Sequence, residues 1–244
     1  MIKLNFEINK EYLAAHALKA AWWNKSPFPE WKKIAFKMQK KYPDAELFFY
    51  GDSALAVKKF DIYQKFENLI KEIITSKDFQ KIYNETEDYL KFIKNQWDKN
   101  KKEALQTIEE LLNFKIPDKN ITVFITHPKL KNGATLRKYN TILWGHPEDF
   151  ENYSTVYLCH ELLHLIIPGN IQNDYELEMH ALIEMITDDE LRMRLNKKGR
   201  YFEVPTHKEL LKIRKKIYPE WKRYLKEKRG MNIIDLVKKL KSGD

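Results

Sequence analysis

The sequence predicts an α+β fold, mainly helical, with a small twisted sheet preceding one decisive helix. Three observations carry that expectation. Apolar residues recur at helical spacing over most of the stretch from residue 11 to about 114. After Pro117-Asp118 the pattern changes to short runs rich in β-branched and aromatic residues. Beyond Asn152 the helical period returns and contains VYLCHELLHLIIP (156–168), where two histidines and a glutamate stand among apolar neighbours.

Taken in order, residues 2–8 (IKLNFEI) alternate loosely and predict a short strand. In the helical part that follows, Tyr63, Phe66, Ile70 and Ile73 fall on one stripe, and Ile108, Leu111 and Leu112 on another. Pro27, Pro29 and Pro43 punctuate the early part, Gly51-Asp52-Ser53 marks a turn, and Trp22-Trp23 reads as core. ITVFIT (121–126) is a predicted strand that Pro128 ends, and Asn132-Gly133 predicts a turn. TILWG (141–145) is a second strand. A helix then starts with Asn152 or Ser154 as N-cap and runs to Pro168-Gly169, and another opens near Asn173-Asp174 and runs past Leu191. KELLKIRKKIYPEWKRYLKEKR (208–229) reads as an amphipathic helix, with Leu210, Ile213, Ile217, Trp221 and Leu225 on its apolar side and a break near Pro219.

Composition excludes several classes. With 244 residues, 43% hydrophobic and 32% charged, the chain can bury a real core, and its 13 Phe, 13 Tyr and 6 Trp are too many aromatics for a disordered protein. The start, MIKLNFEINKEYL, has no apolar h-region, no apolar run approaches membrane-spanning length, and a single cysteine, Cys159, allows no intramolecular disulfide framework. The cytoplasm is therefore the expected compartment, with no membrane partner. The net charge of +9 comes almost entirely from lysines interspersed with acids, as in Lys65-Phe66-Glu67, so it reads as a solvated surface and nucleic acid is not an expected partner.

His160-Glu161-Leu162-Leu163-His164 is His-Glu-x-x-His on a predicted helix. The i, i+4 spacing puts both imidazoles on one face, one turn apart, where they can grip a single metal ion. Glu161 points elsewhere and suits a general base acting on water held at that metal. A random chain of this length shows the motif roughly once in a hundred, so context decides. Catalytic zinc takes three protein ligands and leaves a position for water, which requires a third ligand on another element. In the next helix Leu177, Ala181, Glu184, Asp188 and Leu191 recur at spacings of 4, 3, 4 and 3. Two carboxylates on an apolar stripe are costly unless a cation faces them. A metal held by Glu184, with Asp188 accepting a hydrogen bond from a ligand imidazole, would supply that compensation. His180, Glu178 and Glu176 compete with Glu184 for the third place, and His180, one turn before it, is also a candidate second-layer group.

At these residues the chain resembles the gluzincin metallopeptidases in their thermolysin-like arrangement. The resemblance spans about 121–191 and rests on His160-Glu161-x-x-His164, Glu184 twenty residues on, and Glu184-Met185-Ile186-Thr187-Asp188. It implies a zincin-like fold and Zn2+ bound by His160, His164 and Glu184. It also implies Glu161 as the base, Asp188 as the residue that orients the first histidine, and a peptide or protein substrate. An oxyanion donor is implied from beyond the third ligand, for which Tyr201 and His207 are the candidates and Tyr175 an outsider. The resemblance further implies that the strand before the motif helix is a sheet edge, a place that TILWG takes. The aminopeptidase segment Gly-x-Met-Glu-Asn has as its nearest string Gly133-Ala134-Thr135-Leu136-Arg137, which lacks the Glu. The expected organisation is a helical region 1–117, a zincin-like catalytic core 118–199 and a helical region 200–244, forming one compact unit. The alternative to a zinc metallopeptidase is a zincin-like metal-binding sensor or regulatory protein without general turnover.

Overall fold

A computed structural model of the chain describes residues 2–23, 25–41, 61–204, 208–227 and 230–242. The expectations at Pro43, at Gly51-Asp52-Ser53 and for His207 lie outside the described residues, as do those for the side chains of Tyr63 and Phe66.

The fold is α+β and mainly helical. In chain order the elements are β1 (Ile2–Glu7), α1 (Lys10–Trp22), α2 (Pro29–Lys41), α3 (Asp61–Ile74), α4 (Lys77–Leu112), β2 (Lys119–Ile125), β3 (Asn132–Leu136) and β4 (Thr141–Gly145). They are followed by α5 (Tyr153–Ile166), α6 (Gly169–Asp174) and α7 (Glu176–Glu184). A π-helical turn (Met185–Leu191) leads into α8 (Arg192–Asn196), and α9 (Lys208–Glu227) and α10 (Ile233–Ser242) complete the described chain. Among the described residues no helix is long and apolar enough to cross a membrane.

The chain forms two compact units. One comprises Leu4–Lys94 and Asn120–Pro147; the other comprises Met1–Lys3, Asn95–Lys119 and Glu148–Asp244. Helix α4 supplies residues to both. Its buried positions include Phe79, Ile82, Thr86, Ile93, Trp97, Asn100, Ala104, Ile108 and Leu111, spaced by three, four or seven residues along one helical face. Ser76 Oγ accepts the Phe79 N–H at 3.1 Å to start this helix, and Asn113 turns left-handed (φ 55°) to end it.

In the first unit α1 packs on α2 and α3. Leu13, Ala14, Ala17, Leu18, Trp31, Ile70, Phe79, Phe124 and Leu143 share one core, with Trp22 and Trp23 partly buried against it. The sheet order is β1-β2-β4-β3, β4 running parallel to β2 and antiparallel to β3. TILWG therefore lies inside the sheet, not at its edge. Asn132-Gly133 opens a strand instead of making a turn, and the reversal occurs over Arg137–Asn140, where Asn140 takes the left-handed conformation (φ 48°). Gly145 lets β4 leave the sheet close to β2, since a Cβ there would sit 2.6 Å from the Thr126 carbonyl oxygen.

In the second unit α5 and α9 both pack on α7, and α10 packs on α7 and α9. Helix α5 starts with Asn152 at its N-cap position, one of the two expected, but without a side-chain cap. Asn152 adopts a left-handed conformation (φ 61°), and its amide instead donates to Asn196 Oδ1. The first free N–H groups are met by other side chains: Glu148 accepts from Ser154 N–H at 3.1 Å and from its hydroxyl, and Gln96 Oε1 accepts from Thr155 N–H at 2.8 Å. The predicted helix from 173 past 191 is interrupted at Tyr175 and widens into the π turn. Helix α9 continues through Pro219 without a break, because Pro219 and Lys215 are exposed and water can serve the carbonyl that proline leaves without a donor. Its buried stripe is Leu210, Arg214, Ile217, Trp221 and Tyr224, one position round from the one expected at Ile213 and Leu225.

Candidate metal centre

Helix α5 is buried along its whole length except at Glu161 and His164, which are half-buried, so its open side passes through the motif. His160 lies just inside that opening at 8% exposure. The i, i+4 spacing brings His160 Nε2 to 3.3 Å from His164 Nε2, with ring centroids 5.0 Å apart.

A third imidazole comes from α7. His180 has its ring centroid 5.5 Å from that of His160 and 5.2 Å from that of His164, and the three rings meet edge to face. One ligating atom from each of the three lies within 4.8 Å of the other two. Zinc–nitrogen bonds of about 2.0–2.1 Å in a tetrahedron place neighbouring nitrogens about 3.3–3.4 Å apart. The His160–His164 separation matches that edge, the separations to His180 lie within 4.8 Å, and three imidazoles are a donor set that suits zinc.

Each motif imidazole has a partner on its other nitrogen. His164 Nδ1 is 2.9 Å from Gln172 Oε1, and His160 Nδ1 makes a long contact of 3.5 Å with Thr187 Oγ1. Tyr157, one turn before His160 on α5, has its ring centroid 6.1 Å from the His160 ring. Burial first, then the charge of Asp188, raise the pKa of the Tyr157 hydroxyl.

Glu184 stands outside the imidazole group. It is fully buried with Oε2 3.1 Å from Arg214 Nη1, and the same guanidinium lies 3.5 Å from Asp188 Oδ2 and 2.7 Å from Asp189 Oδ2. All four side chains are fully buried. The π turn makes this convergence possible, because its i→i+5 spacing brings Glu184 and Asp189 to one side with Asp188 between them. Burial raises the pKa of the Asp189 carboxyl despite the pull of Arg214 and an N–H bond from Phe202 at 2.8 Å. Burial also acts to lower the Arg214 pKa, but Asp189, Asp188 and Glu184 together hold it above its ordinary value.

The two stripe carboxylates need a cation opposite them, and Arg214 of α9 is that cation. A legible signal existed: Arg214 interrupts the apolar stripe of α9 as Glu184 and Asp188 interrupt that of α7. Thr187 lies within the segment Glu184-Met185-Ile186-Thr187-Asp188, whereas nothing in the sequence marks Gln172. Of the proposed oxyanion donors, Tyr201 lies against Tyr218 (centroids 4.9 Å) and Phe202, with Lys222 Nζ 5.0 Å from its ring centroid. Tyr175 lies beneath Lys241 Nζ at 4.9 Å. Cys159 is fully buried, and burial raises its thiol pKa far above the ordinary range, as suits a core residue.

Comparison with protein-family models, with curated proteins and with solved structures gave no match.

Proposed function

We propose that the chain is a zinc-dependent metallopeptidase of zincin type, its metal held by His160, His164 and His180. The observation that carries the reading is the convergence of three imidazoles, two of them with Nε2 atoms 3.3 Å apart, beside the half-buried Glu161. His180 is preferred to Glu184 as third ligand because the Glu184 carboxylate is engaged by Arg214. Three neutral ligands leave the ion its full double charge. When bound, zinc would polarise a carbonyl oxygen and lower the pKa of a water molecule. Glu161 takes the proton of the attacking water and returns it to the leaving nitrogen, so a peptide bond is broken with no net change at the glutamate. His160 and His164 present their Nε2 atoms from one rigid helical face, which holds the reacting groups in place. The cytoplasm remains the proposed compartment.

The test is elemental analysis of the wild-type protein and of His180→Ala, joined to peptide hydrolysis by wild type and Glu161→Gln. The reading expects about one zinc per wild-type chain, a large loss in His180→Ala, and retained zinc with activity down about 10²–10⁴-fold in Glu161→Gln. A wild-type chain that takes up no zinc on reconstitution overturns it. Zinc retained by wild type and Glu161→Gln alike, with equal and negligible hydrolysis, favours a metal-binding sensor instead.

A further inference from the structure

We infer that Gln172 is a positioning residue that locks His164 in the Nδ1–H tautomer and so aims an unprotonated Nε2 at the metal site, with Thr187 in the same role for His160. The inference rests on the metal reading for its purpose but stands on hydrogen-bond geometry of its own. The Gln172 amide nitrogen lies 3.1 Å from the His164 carbonyl oxygen and 2.8 Å from that of Ile167. Carbonyl oxygens only accept, so the atom facing them is the donating NH2, and the orientation of the amide follows. The Oε1 atom, 2.9 Å from His164 Nδ1, can then only accept, which requires the proton on Nδ1. In the neutral imidazole the other ring nitrogen, Nε2, then carries the lone pair, and it is the atom 3.3 Å from His160 Nε2.

Thr187 applies the same logic at longer range. Its single hydroxyl hydrogen is donated to the Ile183 carbonyl at 2.9 Å, so toward His160 Nδ1, 3.5 Å away, the oxygen acts as acceptor. Both motif imidazoles are thereby set as Nε2 ligands before any ion arrives. Gln172 also serves the last carbonyls of α5, so one amide couples the end of the motif helix to the tautomer of its second ligand.

The experiment uses the full chain labelled with 15N-histidine. Long-range proton–nitrogen correlation of the metal-free protein reports each tautomer, and competition titration with zinc alone reports affinity. The variants are Gln172→Leu, which removes both acceptor and donor, and Gln172→Glu, which keeps an acceptor but loses the donors to the two carbonyls. Wild-type His164 is expected as Nδ1–H. Gln172→Leu is expected to lose that tautomer and bind zinc about 10–100-fold more weakly. Gln172→Glu is expected to keep the tautomer and hold zinc more tightly than Gln172→Leu, although both variants lose stability. A wild-type His164 protonated on Nε2 overturns the inference. So does equal weakening of zinc in the two variants, which would assign Gln172 to capping alone. Wild type with Nδ1–H on His164 but no zinc binding would leave the tautomer lock standing and remove the metal reading.

Discussion

Replacing Arg214 with methionine tests the buried charge cluster behind the candidate metal centre. The guanidinium lies 3.1, 3.5 and 2.7 Å from Glu184, Asp188 and Asp189, and all four side chains are out of water. Removing the cation leaves three carboxylates buried without it. Breaking one buried pair in this way costs about 3–5 kcal/mol. Against a typical folding stability of about 5–15 kcal/mol, that takes the protein close to its unfolding threshold at pH 7. The variant can recover by protonating a carboxylate. The folded state then binds more protons than the unfolded state, so stability rises as pH falls. Each proton taken up in this way is worth about 1.4 kcal/mol per pH unit, or about 2.7 kcal/mol between pH 7 and pH 5. The assay is urea unfolding followed by far-ultraviolet circular dichroism at pH 7, 6 and 5, with a chelator present so that no metal adds stability. The expected result is a gap between wild type and Arg214→Met that is large at pH 7 and shrinks on acidification. A gap below about 1 kcal/mol at pH 7, the level of an ordinary exposed ion pair, refutes the reasoning. A gap that widens toward pH 5 refutes it equally.

Three further outcomes are expected. Gly145→Ala should lower stability by about 1–3 kcal/mol in denaturant unfolding, because its Cβ meets the Thr126 carbonyl oxygen at 2.6 Å and backbone must move. The Cys159 thiol should react with a disulfide reagent only as fast as the native protein opens, since burial raises its pKa and shields it; rapid labelling without unfolding would contradict that. His127 accepts the Lys129 N–H on Nδ1 and contacts Glu85 at 2.9 Å through Nε2, and burial holds its pKa below the ordinary value despite Glu85. As pH falls through the ordinary histidine range the unfolded chain takes up this proton first. His127 should therefore add an acid-side loss of stability that His127→Gln reduces, as read from unfolding midpoints between pH 7 and 5.

What the sequence by itself determined is what local spacing determines. The i, i+4 geometry of His160 and His164 follows from one helix, and the helix follows from its apolar run. The strands 121–126 and 141–145 were legible because β-branched runs between turn residues have few alternatives, and the stripe of Ile108, Leu111 and Leu112 marks the buried face of α4 near its end. The tertiary structure decided which residue of α7 faces the two histidines. His180 and Glu184 are one turn apart on that helix, and sequence spacing cannot tell them apart. The choice depends on how α7 slides along α5, and Arg214, arriving from α9 thirty residues later, engages Glu184, Asp188 and Asp189. Likewise Gln172 reaches His164 only because the chain turns at Pro168 and brings α6 back against the end of α5. TILWG became an interior strand because Asn132–Leu136 pairs along its free side. These outcomes rest on contacts between elements distant in the chain, and the charge cluster is the clearest case. A buried carboxylate requires a cation, but electrostatics alone accepts either a metal ion or a guanidinium, and packing makes the choice.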